Sequence, residues 1–290
     1  MAPTVDIATA RPAPCLAPYV ERYVGYRLEG FPAGLHRGLP SRYLTFIVSI
    51  GRPVRIVGMP GRGPLRVDMD AVVSGLSVGP AMIDHDGNEA GVAVDLHPLG
   101  ARALFGLPGR ELAGELVDVP TLLGRGTRSL PERLTEAVTW EERFRVLDDV
   151  LVAAVRRRDG GRGPTAEVWQ AWRRLVGERP PLLPDQSRPG VDGLAAEVGW
   201  SRRHLTEQFH REVGLPPRQL QRVLRFEQAR AALASGRHAT LADVAAHTGY
   251  FDQAHMTRDW HDLAGCAPST WLVEEELPSV QDNAPDEGTG

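Results

Sequence analysis

The feature that most limits what this chain can fold into is an internal repeat within residues 191–271. The first copy runs Ala195-x-x-x-Gly199, Ser201, Leu205, Phe209, Gly214, Pro217 and Leu220. The second runs Ala245-x-x-x-Gly249, Asp252, Met256, Trp260, Gly265, Pro268 and Trp271. The offset is 50 through the glycine (195 to 245, 199 to 249) and 51 after it (201 to 252), so one residue near Phe251 is extra in the second copy. Register kept through so many apolar and turn positions marks a duplicated structural unit. In each copy a short helix of small residues can approach a neighbour closely, and the glycine supplies the left-handed position that ends it. Ser201 or Asp252 then caps a second helix. Its inner face carries Leu205 and Phe209, or Met256 and Trp260, four residues apart. This is a helix-turn-helix written twice.

What stands on the outer faces decides whether these helices only pack or also read. The first presents Ser201, Arg202, Arg203, Thr206, Glu207, His210 and Arg211; the second presents Asp252, Gln253, His255, Thr257, Arg258 and His261. A helix entering a major groove needs side chains of fixed donor and acceptor geometry near its N-terminal end, and Arg, Gln, Thr and Glu are such residues. The bland alternative is two solvated faces of ordinary core helices, and the duplication weighs against it. Residues 217–235 between the copies read as one long helix started by a proline. Such a rod would hold two reading heads on major-groove segments one helical turn, ~34 Å, apart. Rigid heads that do not match straight DNA would bend it.

These residues resemble the AraC/XylS family of transcription regulators. The resemblance rests on Ser201-x-x-x-Leu205-x-x-x-Phe209, Gly214-x-x-Pro217, Arg225-x-x-x-Ala229, Ala245-x-x-x-Gly249-Tyr250, Thr257-Arg258-x-Trp260 and Gly265-x-x-Pro268. It covers residues 164–272 and spans both units and the connector. It implies sequence-specific binding of double-stranded DNA, with base-facing positions at Arg203, Thr206 and Glu207 in the first reading helix and at Gln253, His255 and Arg258 in the second. It also implies an N-terminal domain that changes how productively the pair engages DNA or RNA polymerase. Three positions depart from the family pattern. Glu207 stands where the first unit usually has arginine, Leu220 replaces an aromatic, and residues 180–190 look inserted between the domain's first two helices. Glu207 bears on base preference, because a carboxylate accepts from cytosine and repels phosphate.

Charge is distributed to match. A net −4 argues against a generic nucleic-acid binder, yet residues 202–230 hold seven arginines (202, 203, 211, 218, 222, 225, 230) against Glu207, Glu212 and Glu227. That predicts a local basic stripe. The chain contains no lysine, so every cationic contact to phosphate falls to arginine. Cys15 and Cys266 form neither a disulfide framework nor a metal-ligand spacing. His36, His85 and His97 lack the spacing that would place two ligands on one face, and isolated or hydrogen-bonded histidines are the better reading. No metal and no cofactor is expected. No apolar run reaches transmembrane length and the start lacks a secretory pattern, so the expected location is the cytoplasm, away from membranes.

The N-terminal half reads differently, and the whole chain is expected to be α+β. Residues 1–18, rich in Ala and Pro, are expected to be disordered. Residues 19–158 are expected to form an effector or dimerisation domain, a small β-barrel or sandwich-like sensor domain with helices, with a ligand pocket in its mouth. Strands are expected at 43–50 and 54–57, and Asp86-Gly87 between residues 81–83 and 92–94 signals a hairpin. Helical segments are expected at 99–105, 109–117, 131–138 and 140–158. In the last of these Phe144, Leu147, Leu151, Ala154 and Val155 form a stripe for packing within the domain, or for a homodimer contact. Residues 159–164 read as a linker, 165–273 as the all-α double helix-turn-helix domain, and 274–290 as a disordered acidic tail.

Two rival functions remain. Gly75-Leu76-Ser77-Val78-Gly79 spells a nucleophile elbow, which would make the N-terminal half a hydrolase acting through Ser77. Pro80 and a further strand follow where the elbow needs a helix, so no catalytic residue is expected. The C-terminal half could instead be a helical protein-binding module that has lost DNA.

Overall fold

The computed structural model describes residues 2–63, 65–158, 163–177, 190–238 and 240–274. Its N-terminal half holds strands β1 (Thr4–Ala10), β2 (Val20–Glu29), β3 (Gly34–Gly38), β4 (Leu44–Ser49), β5 (Val54–Gly58), β6 (Val67–Met69), β7 (Ala71–Ser74), β8 (Ala81–His85), β9 (Glu89–Leu96) and β10 (Leu116–Asp118). Short helices α1 (Ala101–Phe105), α2 (Val119–Leu123) and α3 (Leu130–Glu136) lead to the long α4 (Trp140–Arg157). The C-terminal half is helical: α5 (Ala166–Val176), α6 (Val191–Glu197), α7 (Arg202–Val213), α8 (Pro217–Ala234), α9 (Leu241–His247), α10 (Gln253–Ala264) and α11 (Pro268–Glu274).

The strands form two antiparallel sheets, one in the order β1-β2-β9-β4-β7-β10 and one in the order β3-β8-β5-β6. Neither closes on itself, so the expected barrel is an open two-sheet layout. One face of the larger sheet, including Tyr23, Phe46, Val48, Val92 and Val94, joins a core shared with α4. Its other face turns Tyr26, Leu28 and Ala93 toward the smaller sheet. Alternation with period two separates the two sets, as a sheet covered on both sides requires.

Residues 1–18 differ from expectation. β1 pairs with β2 through Val5 opposite Leu28 and Ile7 opposite Tyr26, and Ile7 packs on the Tyr26 cluster. A 3-10 turn at Pro14–Leu16 buries Leu16. The Ala and Pro content masked an alternation that gives the segment a sheet edge to join. Asp86-Gly87 does turn the chain, but β8 and β9 lie in different sheets and do not pair. Gly87, at φ 87°, lets the turn approach Phe31, whose carbonyl would lie 1.8 Å from any added Cβ. The helix expected at 109–117 is a 3-10 turn at Gly109–Glu111 followed by β10.

Thr139 opens α4 with a reciprocal cap to Glu142. Phe144, Leu147, Leu151 and Ala154 are buried within the chain, Phe144 stacking on Tyr23 at 5.6 Å. That stripe is therefore spent on packing within the chain, and the homodimer contact read from it is withdrawn. Trp140 lies across β2 so closely that a Cβ at Gly25 would come within 2.3 Å of its ring. The proposed linker falls mostly on residues 159–162, the proposed insertion on residues 180–189, and the proposed tail on 275–290; all three lie outside the described residues. No helix of the described residues is long and apolar enough to cross a membrane.

Candidate nucleic-acid interface and effector cavity

The two repeat units share their construction down to single hydrogen bonds. At the first turn Gly199 takes φ 70° and the Trp200 amide donates to the Ala195 carbonyl at 2.9 Å; at the second Gly249 takes φ 78° and the Tyr250 amide donates to Ala245 at 3.0 Å. Ser201 accepts from the His204 amide at 3.3 Å and Asp252 from the His255 amide at 2.6 Å, each starting its reading helix. Trp200 meets the His204 ring edge-on at 4.5 Å, and Tyr250 meets His255 in the same way at 5.2 Å. Both helices end on left-handed glycines, Gly214 and Gly265, whose amides return 2.9 Å bonds to His210 and His261. Leu205, Phe209, Met256 and Trp260 are fully buried. Phe209 packs on Trp172, and Trp260 packs between Phe226 and Trp271.

This construction leaves the outer faces of α7 and α10 to solvent. Arg202, Arg203 and Glu207 are exposed on α7, with Thr206 and His210 partly covered; Gln253 and Arg258 are exposed on α10, with His255 and Thr257 partly covered. Several already have local work. Ser201 and Asp252 are spent on caps, the Thr206 hydroxyl donates to the Arg202 carbonyl at 2.8 Å, and Arg202 lies 3.4 Å from Asp192. Arg203 and Arg258 stand exposed with no ion pair among the described residues.

The expected basic stripe is mostly consumed inside the domain. Arg222 of α8 bonds Asp259 of α10 at 2.7 Å and also Asp262; Arg225 lies 3.8 Å from Asp259 and over the Tyr250 ring at 5.4 Å. Arg211 is held by Glu212 at 2.8 Å, and Arg230 is buried. Of the seven arginines, Arg203 and Arg218 remain open to solvent without an ion pair among the described residues. Counting charge along the sequence missed the aspartates of α10, which lie outside the counted window. Sequence reasoning also passed over Phe251, which is 93% exposed beside the α10 cap. The one-residue offset between the copies was the signal for it.

The family model described as a helix-turn-helix domain matches residues 194–273, the stretch from α6 to α11. Residues 194–273 thus belong to a helix-turn-helix domain. A second model, a domain of unknown function (DUF6597), matches residues 8–118. A curated relative, the uncharacterized HTH-type transcriptional regulator YbfI of Bacillus subtilis (strain 168), is 33% identical over 66 residues, which span 23% of this chain and 23% of that protein's length. Among solved structures, ToxT from Vibrio cholerae aligns with a TM-score of 0.47 at 10% identity, covering 96% of this chain and 100% of that one. The C-terminal domain of AraT, a response regulator from Geobacillus stearothermophilus, aligns with a TM-score of 0.34 at 18% identity, covering 43% of this chain and 98% of that domain.

The helix-turn-helix domain is fastened to the N-terminal half at several points. Arg102 of α1 grips Glu212 of α7 with both nitrogens, at 2.6 and 3.0 Å. Gly109 sits against the end of the same helix, where an added Cβ would lie 2.5 Å from the Glu212 carbonyl. The loop after β7 reaches α10, since a Cβ at Gly79 would lie 3.4 Å from the Asp262 carbonyl and one at Gly265 would lie 3.4 Å from Pro80. Arg42 binds Glu227 of α8 through its backbone amide at 2.8 Å and its guanidinium at 2.7 Å, and Arg37 reaches Glu274 at 2.7 Å. The C-terminal ends of α7 and α10 thus rest on the N-terminal half.

Between the two sheets lies a cavity of about 810 Å³. Tyr26, Leu28, Ile47, Ile56, Val72 and Ile83 give it apolar walls, while His36, His85 and Glu89 line it with polar groups. Burial pushes the Glu89 carboxyl above its ordinary range, and the His36 charge only partly offsets this. Pro40, Ser41 and Tyr43 line the cavity beside Arg42. His97 instead pairs with Glu21 at 3.3 Å, outside the cavity lining. No group of three or more His, Cys, Asp or Glu among the described residues is placed to hold a metal.

Ser77 forms no nucleophile elbow. Its hydroxyl donates to the Gly79 carbonyl at 2.8 Å, and the loop runs on into β8 with no helix to supply oxyanion amides. Gly75 is required by packing, because a Cβ there would lie 1.6 Å from the Leu112 carbonyl. The glycines of that motif serve a loop packed tightly on its neighbours, and the hydrolase reading is dropped.

Proposed function

We propose that this chain is a cytoplasmic, sequence-specific transcription regulator. It reads two adjacent major-groove segments with α7 and α10, and its cavity takes a small-molecule effector. One observation carries the reading: two helices with the same cap, the same ring-on-imidazole contact and the same glycine stop leave Arg203 and Arg258 open to solvent. The predicted base-facing residues are Arg203, Thr206 and Glu207 on α7, with Gln253, His255 and Arg258 on α10. Ser201 and Asp252 contribute by starting the helices, and Arg202, His210 and Thr257 flank them. Arginine at such positions suits bidentate contact to guanine, worth about 1–3 kcal/mol of discrimination per base pair.

A route from effector to DNA is also supported. A ligand resting on Pro40, Ser41 or Tyr43 would shift Arg42, whose two bonds to Glu227 hold the connector α8. RNA polymerase is a further partner of the kind the resemblance implies. The test is selection of duplexes from a random pool by the full chain, then binding assays at fixed salt. Arg203→Ala and Arg258→Ala should each lose roughly ten- to a hundredfold in affinity, and each should relax preference in its own half-site. Failure of the wild-type chain to select any duplex, or affinity unchanged in both variants, would sink the proposal.

A further inference from the structure

Phe251 is the most exposed large apolar side chain among the described residues, at 93%. It directly precedes Asp252, the cap of α10. An apolar residue in that place ordinarily folds back onto the fourth residue of the helix. Here the fourth residue is Met256, already fully buried, and Tyr250 occupies the cap end by packing on His255. Phe251 has no seat in its own domain.

The first unit shows that the fold does not need it. There Trp200 makes the contact to His204 that Tyr250 makes to His255, and the cap Ser201 follows at once. Tyr250 therefore corresponds to Trp200 and Asp252 to Ser201, which identifies Phe251 as the inserted residue. An added aromatic ring that packs on nothing leaves a large apolar area in water, a cost recovered only when a partner covers it.

Its position names the partner. The ring stands at the N-terminal tip of a reading helix, beside exposed Gln253, and that tip is the part of such a helix that approaches base edges. The apolar feature a major groove offers there is the 5-methyl group of thymine. We propose that Phe251 reads a thymine in the second half-site by packing its ring on that methyl group. This rests on the DNA-binding reading above and adds a contact that the first unit lacks.

The test uses duplexes selected by the wild-type full chain. Each thymine of the second half-site is replaced in turn by deoxyuridine, which removes the methyl and leaves base pairing intact. For the wild type, one replacement should weaken binding about four- to tenfold, the scale of one or two buried methyl groups. Phe251→Ala should bind the thymine duplex with that same loss and be indifferent to the replacement, while unfolding like the wild type. Equal sensitivity of both proteins to deoxyuridine, or wild-type affinity in Phe251→Ala, overturns the proposal. So does a loss in Phe251→Ala where no replacement affects the wild type. A chain that selects no duplex defeats the regulator reading instead, so the two failures are distinguishable.

Discussion

Removing Arg102 tests whether the N-terminal half holds the first reading helix. Its guanidinium makes two bonds to Glu212, at 2.6 and 3.0 Å; the carboxylate is 3% exposed and Arg102 itself 29%. Arg102→Ala leaves a buried carboxylate with only Arg211, 2.8 Å away and half-exposed. Breaking a buried pair costs about 3–5 kcal/mol when nothing replaces the lost partner. Retention of Arg211 and partial exposure of Arg102 bring the expected loss to about 1–3 kcal/mol. For a chain of this size that is a fall in Tm of roughly 2–5 °C. The assay is thermal unfolding followed by circular dichroism at neutral pH. Arg110→Ala is the control, since Arg110 is 57% exposed and 3.5 Å from Glu111; it should change stability by about 0.5 kcal/mol or less. Glu212→Gln in the Arg102→Ala background should recover part of the loss by removing the stranded charge. If Arg102→Ala unfolds with the control, the pair contributes nothing, and the reasoning from burial fails.

The same pair makes stability depend on acid. Burial alone would raise the Glu212 carboxyl, but Arg102 and Arg211 hold it below its ordinary value of 4.5, so its contribution is present above about pH 4.5 and is lost as pH falls through the lowered value. Urea unfolding between pH 3 and 7 should show this loss, and Arg102→Ala should flatten it. Gly109→Ala should destabilise by about 2 kcal/mol or more, because its Cβ would meet the backbone of Glu212 and Val213 at 2.5 and 2.6 Å; Gly63→Ala, in open space, should not, and chemical denaturation compares them. With Arg203, Arg218, Arg237 and Arg258 exposed and in no ion pair among the described residues, log affinity for DNA should fall with log salt at a slope no steeper than about −4, about 0.9 per phosphate contact. A slope steeper than about −6 would mean that Arg222 and Arg225 leave their aspartates to join in.

How much was legible in the sequence depended on the range of the interaction. The reading helices were legible because their signals are local: Ser201 and Asp252 cap, Gly214 and Gly265 stop, and apolar residues four apart face inward. The sensor half was legible as strands and illegible as pairing. Asp86-Gly87 specifies a turn of the chain but says nothing about which sheet receives the next strand, and β9 joined β2 and β4 instead of β8. β1 escaped because seven residues flanked by Ala and Pro gain stability only from a distant partner, β2. A pocket was expected from the fold class alone, and its place follows from the separation of two sheets, which no single stretch of sequence encodes. At the candidate DNA face the residue types are plain from the sequence, and their commitments to other residues are not. Whether Arg222 meets phosphate or Asp259 is settled by helix packing 37 residues away.

Those commitments give the connector α8 a second task. A chain without lysine relies on arginine for its internal ion pairs and, on the proposed reading, for phosphate contact as well, and guanidinium suits the former because its fork can bridge two carboxylates at once. Arg222 does this with the buried Asp259 and the exposed Asp262 of α10, and Arg225 lies over Tyr250, which packs on His255. Glu227 lies on the same helix five residues beyond Arg222, about 7.5 Å along its axis, and takes the two bonds from Arg42. One rigid helix thus carries the attachment to the cavity wall and the attachment to the second reading helix, with no loop between them. Movement of Arg42 would therefore reach α10 as a tilt of α8, added to the direct contact of α10 with the loop at Gly79 and Pro80, whereas α7 meets the N-terminal half through Arg102 and Gly109. On the proposed reading, Arg42→Ala should therefore change recognition of the second half-site more than that of the first.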